Sequence, residues 1–340
     1  MNPRNTQGPI PLVRVAALLR YVRYLQTVGA PVGRLLAGSR IPAVLLDHPA
    51  AAVPIGSALR FGELACRALG TEHLGLYVGL ESGLNDLGPF QDMLQRSLTL
   101  HEYLHKAIAL YDALNSGQRL WLSEHGEELR FNVATAGDDG IGAYQSRLET
   151  LVVTIAKIRE AAGPNWSPRE VSLSYRTRED LPNIDLFAGS QILGRTEATY
   201  FTFPRALMGL RFPIGGAATT AGDPESFPMC RLPEDLSGLV RLQIETLLSV
   251  RNFEIETVAE TLAISRRSLQ RSLAQQGLTY SQVLAETRLR RAVDWLDNTD
   301  KPVGDIAFDL GYTDASNFTR AFRRQTGVSP QTFRDKTPES

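Results

Sequence analysis

Gly311-Tyr312-Thr313-Asp314-Ala315-Ser316-Asn317-Phe318-Thr319-Arg320-Ala321-Phe322-Arg323-Arg324-Gln325-Thr326-Gly327-Val328-Ser329-Pro330, continuing to Phe333-Arg334, decides the fold of the C-terminal third of this 340-residue chain. Gly311 suits a turn that needs positive φ. Asp314 is a good N-cap. In the helix it starts, Phe318 and Phe322 share a face at i and i+4, and the arginines project elsewhere. Gly327 ends the helix, and Pro330 stands just beyond. A short helix, a tight turn and a second helix of mixed aromatic and basic character make a helix-turn-helix.

Working outward, the same pattern occurs once more upstream. Val258-Ala259-x-x-Leu262 aligns with Ile306-Ala307-x-x-Leu310 at an offset of 48. Leu269-Gln270-Arg271-Ser272-Leu273 aligns with Phe318-Thr319-Arg320-Ala321-Phe322 at 49, and Gly277 with Gly327 at 50. Turns and helix ends absorb such a drift. Ala259 and Ala307 supply the small residue a close helix crossing needs, and Ser265 is the N-cap matching Asp314. Ala263 occupies the place of Gly311, so it must either take positive φ under strain or form a different turn. Two helix-turn-helix units in tandem are expected, joined by a helix from about Ser281 to Asp297 that spans roughly 25 Å. With the flanking helix radii, two recognition helices can then lie near 34 Å apart, about one turn of DNA.

Charge gives this repeat its meaning. Residues 261–285 contain Arg266, Arg267 and Arg271 and no Asp or Glu, and residues 315–334 contain Arg320, Arg323, Arg324 and Arg334, again without an acid. The net charge of −1 excludes a globally basic nucleic-acid binder but not two local basic faces. Acid-free, guanidinium-bearing helix faces are what phosphate contact requires, and Arg and Gln can read base edges in the major groove. Two merely solvated basic helix faces are the duller reading, and the repeat argues against it.

Upstream of 236 the pattern changes. Pro204, Pro213, Pro224, Pro228, Pro233 and the pair Gly215-Gly216 mark a linker over 213–235, which separates a domain of residues 1–212 from one of 236–336. The first is expected to be α+β, mainly helical with a small sheet, and the second all-α. Residues 12–114 read as mostly helical. Val13, Leu18, Leu19, Val22 and Leu25 form one amphipathic stretch, and Leu100, Leu104, Ala107, Tyr111 and Leu114 a cleaner one. Alternation around Glu124-His125-Gly126-Glu127 predicts a β-hairpin over 118–135, followed by a helix over 140–162. Further strands are expected at Val171–Tyr175 and Tyr200–Phe203.

Composition narrows the class. With 43% hydrophobic residues the chain can form ordinary packed cores, and its two cysteines, Cys66 and Cys230, are too few for a disulfide framework. Arg4, Arg14, Arg20 and Arg23 interrupt the apolar N-terminus, and no stretch approaches about 18 uninterrupted apolar residues, so neither a leader nor a membrane span is expected. A cytoplasmic protein follows from that reading.

The C-terminal residues resemble the AraC/XylS family of bacterial transcription regulators over about 240–335. The resemblance is most specific at Gly311-Tyr312, Asn317-Phe318-x-Arg320-x-Phe322-Arg323 and Gly327-x-Ser329-Pro330, and extends to Ser265-x-x-x-Leu269-Gln270-Arg271-x-Leu273 with Gly277. It implies that Arg267, Gln270 and Arg271, beside Arg266, face bases or phosphates in the first unit. Ser316, Asn317, Thr319 and Arg320 take those places in the second, with Arg323 and Arg324 on the phosphate side. Residues 12–210 are similar to the N-terminal domain labelled arabinose-binding in this family, through Leu74-Gly75-Leu76-x-x-Gly79, Leu87-Gly88-x-Phe90 and Ser97-Leu98-Thr99-Leu100-x-Glu102-x-Leu104. The resemblance implies an activator with double-stranded promoter or operator DNA, RNA polymerase, a small-molecule effector and a second copy of itself as partners, and with no cofactor.

Several motifs point elsewhere and are weighed against plainer readings. His101-Glu102-x-x-His105 fits a zinc hydrolase template. No distinctive third ligand follows it, however, and the segment doubles as a helix start capped by Thr99. Gly140-Ile141-Gly142 lacks the strand and third glycine of a dinucleotide loop and reads as a turn. Cys66 reads as a small core residue, and neither cysteine has the polar setting of an alkyl-transfer nucleophile. Trp121, Phe131, Tyr144 and Tyr200 could line an effector pocket, but aromatics at such positions are more often core, and no effector residue is assigned. The alternatives left open are a constitutive DNA-binding regulator whose N-terminal domain only dimerises and a metal hydrolase fused to a DNA-binding tail. A repair-type alkyl-transfer protein would need an activated cysteine in a polar pocket, which neither cysteine offers.

Overall fold

The alternating residues of 118–135 fold as two antiparallel strands, and the sheet they begin organises the first half of the chain. The structure, a computed structural model, describes residues 10–82, 87, 89–137, 140–175, 177, 180–212, 231–248 and 254–335. Those residues divide into two compact units, one of Pro11–Leu232 and one beginning at Pro233.

The first unit opens with β1 (Leu12–Arg14), α1 (Val15–Thr27), α2 (Val32–Gly38) and β2 (Ala52–Pro54), then α3 (Ile55–Leu69), α4 (Leu74–Ser82), α5 (Pro89–Gln95) and α6 (Leu100–Leu114). The hairpin strands β3 (Gln118–His125) and β4 (Glu128–Thr135) follow, then α7 (Ile141–Ala162), β5 (Glu170–Leu173), β6 (Gln191–Gly194) and β7 (Thr199–Pro204). The larger sheet has the order β3-β4-β7-β5-β6, antiparallel except for β5 against β6. β1 and β2 form a separate antiparallel pair. The helical reading of 12–114 misses this pair because three residues are too few to show an alternation, and the strands expected further on omit the four-residue β6.

Alternation decides which face of the sheet is dry. Phe131 pairs with Phe201 across β4 and β7, with ring centroids 5.4 Å apart. Phe201 also pairs with Val171 of β5, and all three side chains are buried. Against this face lies α7, whose Tyr144, Leu148, Leu151, Val152, Ile155 and Ile158 are buried and join one continuous core with the strands. Its other side receives α3 and α4 at close range. A Cβ on Gly142 would strike the Leu59 carbonyl, and one on Gly75 would strike that of Gln145. Gly142 is therefore a crossing point inside the first turn of α7 rather than part of a loop, which corrects the reading of Gly140–Gly142 as a turn. The same packing gives the Leu74-Gly75-Leu76-x-x-Gly79 motif a physical meaning, because a Cβ on Gly79 would lie 2.8 Å from Val152.

The second unit is helical among the described residues: α8 (Leu236–Leu247), α9 (Ile255–Thr261), α10 (Arg266–Gln275), α11 (Tyr280–Asn298), α12 (Val303–Asp309), α13 (Ala315–Thr326) and α14 (Pro330–Arg334). The long helix α11 starts with a capping box of Thr279 and Gln282 and runs 19 residues, about 28 Å. Its Val283, Ala292 and Leu296 are buried, as are Leu239, Val240, Ile244 and Leu247 of α8. Most of the expected linker, 213–230, lies outside the described residues, and Cys230 with it. The whole is a mixed helical protein with small sheets.

Candidate nucleic-acid interface

The two short helix pairs α9–α10 and α12–α13 are built on one plan. α9 ends with Ala263 at φ 55°, and α12 with Gly311 at φ 73°. Each turn closes with the same two backbone hydrogen bonds. In the first, Ala263 N–H donates to the Glu260 carbonyl at 2.9 Å and Ile264 N–H to that of Ala259 at 3.1 Å. In the second, Gly311 N–H donates to Phe308 and Tyr312 N–H to Ala307, both at 3.0 Å. This is the Schellman arrangement, which satisfies the orphan carbonyls of a helix end. The first pair thus accepts the left-handed residue without a glycine, at a cost of roughly 1–2 kcal/mol.

The second helix of each pair then starts on its expected cap. Ser265 Oγ accepts from Ser268 N–H at 3.1 Å, and Asp314 Oδ1 from Asn317 N–H at 2.7 Å. Leu269 and Leu273 of α10 are buried, as are Phe318 and Phe322 of α13. With those stripes inward, the remaining faces turn to solvent. Arg266, Arg267, Gln270 and Arg271 are exposed on α10, and Ser316, Arg320, Arg323 and Arg324 on α13, with Asn317 and Thr319 half-buried.

Exposure does not make these side chains equivalent. Arg266 is held by Glu256 of α9, with Nη1 2.5 Å from Oε1. Asn317 donates through Nδ2 to Asp314 Oδ2 at 2.6 Å and Thr313 Oγ1 at 3.0 Å, and its Oδ1 accepts from Arg320 Nη2 at 2.6 Å. Arg267, Arg271, Arg323 and Arg324 enter no ion pair among the described residues. Arg334, part of the acid-free window, is half-buried and donates to the Lys301 carbonyl at 2.6 Å, so it staples α14 rather than facing outward.

One residue of this region escaped sequence reasoning. Arg288 of α11 lies 4.8 Å from the Tyr312 ring centroid and donates to the Gly311 carbonyl at 3.2 Å. It braces the second turn from a helix 23 residues away in sequence. Nothing local marks it, and burial shifts its guanidinium toward easier proton loss.

The competing motifs resolve locally. Glu102 of the His-Glu-x-x-His stretch accepts from Leu98 N–H at 2.8 Å and pairs with Lys106 at 2.6 Å, contacts that hold its carboxyl below the usual range. Thr99 caps the helix, accepting from Glu102 N–H at 3.2 Å. His101 and His105 stack at 4.1 Å, and His105 Nδ1 lies 2.9 Å from the His101 carbonyl oxygen. Among the described residues no three His, Cys, Asp or Glu side chains come together as metal ligands, and no helix is long and apolar enough to cross a membrane. Cys66 is buried, and burial pushes its thiol up to about 12.

The first unit also contains two adjoining cavities of about 60 and 50 Å³, which share Ala17, Tyr111 and Glu149 in their walls. Of the four aromatics considered for an effector pocket, only Phe131 lines either one. Tyr144 stacks on Tyr175 at 5.0 Å, while Trp121 and Tyr200 lie beneath Arg119 and Arg130.

Residues 29–212 match the family described as the arabinose-binding domain of AraC transcription regulators, N-terminal, and residues 258–336 match a helix-turn-helix domain. An HTH-type transcriptional regulator of Mycobacterium tuberculosis is 24% identical over 347 residues, covering 97% of each chain. The ornithine utilization regulator of Pseudomonas aeruginosa is 45% identical over 82 residues, and that match spans 24% of either chain. The crystal structure of the transcriptional regulator CdpR from Pseudomonas aeruginosa is 20% identical, with 90% of this chain and 96% of that one aligned at a TM-score of 0.39. The chain belongs to the AraC transcription regulators with this type of N-terminal domain, and it carries an AraC-type DNA-binding domain.

Proposed function

We propose that the chain is an effector-controlled activator whose residues 236–336 read DNA through two tandem helix-turn-helix units, with 1–212 as the effector-binding and dimerisation domain. The observation that carries this is the matched pair of turns. The same two hydrogen bonds and a left-handed residue set α10 and α13 on their partner helices in the same way. Each helix then carries an exposed basic face with its apolar residues inward. A helix of that size enters a major groove. Arg267, Gln270 and Arg271 are assigned to base and phosphate contact. Ser316, Thr319, Arg323 and Arg324 are assigned mainly to backbone contact, and Asn317 and Arg320 stiffen the start of α13.

Effector control is favoured over a purely dimerising N-terminal domain by the cavities of the first unit, whose walls include buried polar groups. A ligand shifts the balance between two presentations of the DNA-reading units only by its differential affinity for them. The test is an unbiased selection of duplex DNA by the full-length protein, followed by titration of the selected duplex across salt. Contacts to several phosphates predict an affinity that falls steeply and log-linearly with salt. A flat dependence, or no enriched sequence, would contradict the reading.

A further inference from the structure

Arg20 of α1 is buried, 4% exposed, and pairs with Glu149 of α7, 8% exposed. Glu149 stands between the two cavities of the first unit, and Arg20 lines the second together with Phe90, Leu94, Tyr103 and Phe131. A guanidinium presents five N–H donors, and the Nε of Arg20 has no hydrogen-bond partner. A buried donor left unmade is costly, and so is a charge taken out of water. The walls of the second cavity are mostly aliphatic and aromatic, with Thr150 and Thr154 as further polar side chains, and neither bonds that Nε.

We propose that Arg20 anchors a ligand site in this cavity, which takes a small monocarboxylate with an apolar tail. The planar fork of a guanidinium matches a carboxylate in geometry and charge, and the aromatic and aliphatic walls suit a short branched or single-ring tail. The proposal rests on reading this unit as the effector-binding part. Glu149 is the internal stand-in for the ligand. While the cavity is empty, its carboxylate holds Arg20.

When a ligand carboxylate takes the fork, Glu149 takes up one proton, so that one cation still faces one anion. Burial already pushes the Glu149 carboxyl up, against the pull of Arg20. The other groups that meet it electrostatically are Tyr21 of α1 and Tyr111 of α6, whose hydroxyls burial keeps protonated. Tyr111 walls both cavities, and its hydroxyl donates to Gln118 Oε1 at 2.5 Å. Neither space alone matches the ~150 Å³ in which an engineered apolar cavity holds benzene. A ring-bearing ligand must therefore displace Tyr111 and join the two.

The experiment uses the full-length protein with isovalerate and phenylacetate as probes and their neutral amides as controls. Thermal unfolding and calorimetric titration are run on the wild type, Glu149→Gln and the double variant Arg20→Met/Glu149→Leu. The double variant removes both charges and so leaves no unpaired ion to unfold the domain. A carboxylate at about 10 mM should raise the wild-type Tm by about 2 °C or more, while its amide leaves it unmoved. Binding should be accompanied by uptake of about one proton and weaken about tenfold per pH unit above neutrality. Glu149→Gln should bind at least severalfold more tightly than the wild type at pH 7.5 with no proton uptake, and the double variant should not bind.

Carboxylate and amide binding equally, or the double variant binding like the wild type, overturns the proposal. So does no binding to wild type or Glu149→Gln. Binding that leaves operator affinity unchanged sinks effector control and leaves the site standing. Operator affinity that responds to a different ligand class, with no carboxylate bound, does the reverse.

Discussion

The two helix pairs of the C-terminal unit share a backbone and differ in how they are held. The first turn places an alanine in the left-handed region, and its second helix packs through two leucines. The second turn uses glycine and is braced by Arg288, and its helix packs through an aromatic chain of Tyr312, Phe318, Phe322 and Phe333 with centroids 5.5 to 5.7 Å apart. The polar faces differ in the opposite sense. Arg267 and Arg271 of the first pair are unpaired among the described residues, whereas in the second Asn317 is tied to Asp314 and Arg320 to Asn317. The second pair is the more firmly braced at its turn and at the start of its second helix, while Arg323 and Arg324 further along α13 stay free of ion pairs among the described residues, like Arg267 and Arg271.

The largest expected effect separates the two cores. Phe318→Ala should destabilise the C-terminal unit by about 3–5 kcal/mol and Leu269→Ala by about 2–5, because a ring leaves a larger hole and breaks the aromatic chain. Denaturant unfolding of the two variants checks this. If Leu269→Ala costs clearly more, the claim that the second pair is the firmer one fails.

The turns give opposite signs. Gly311→Ala should cost roughly 1–2 kcal/mol, since an alanine there takes the left-handed region and its Cβ would sit 3.0 Å from Arg288 Nη2. Ala263→Gly should instead stabilise by up to about 1 kcal/mol, because relieving the left-handed alanine outweighs the extra freedom of glycine in the unfolded chain. Equal effects of the same sign would mean that the two turns are not equivalent. The caps sharpen the contrast further. Asp314→Ala should cost about 1–2 kcal/mol and Ser265→Ala about 1 or less, read from thermal unfolding, because Asp314 also holds Asn317.

Much of this architecture was legible in the residues. The alignment of Ala263 with Gly311 posed the question of positive φ, and the caps Ser265, Asp314 and Thr99 follow from local side-chain chemistry. The hairpin, α7 and the strands β5 and β7 announce themselves by period. What stayed hidden depends on partners far apart in sequence. Arg288 braces a turn 23 residues on, Arg266 is claimed by Glu256, and Arg334 is turned inward by Lys301. The buried pair Arg20–Glu149 was hidden most completely. In the sequence Arg20 only interrupts an apolar stretch, and its partner comes from α7, far along the chain. Short strands such as β1 and β2 carry no periodic signal at all.

The most direct measurement titrates the selected duplex and a scrambled one with the full-length protein, as wild type, Arg271→Ala and Arg323→Ala. Arg271→Ala should weaken binding to the selected duplex by about 1–3 kcal/mol and spare the scrambled one. Arg323→Ala should weaken both alike and lower the salt slope by about one. Unchanged affinity for both duplexes in both variants would contradict the assignment of these two helix faces to DNA.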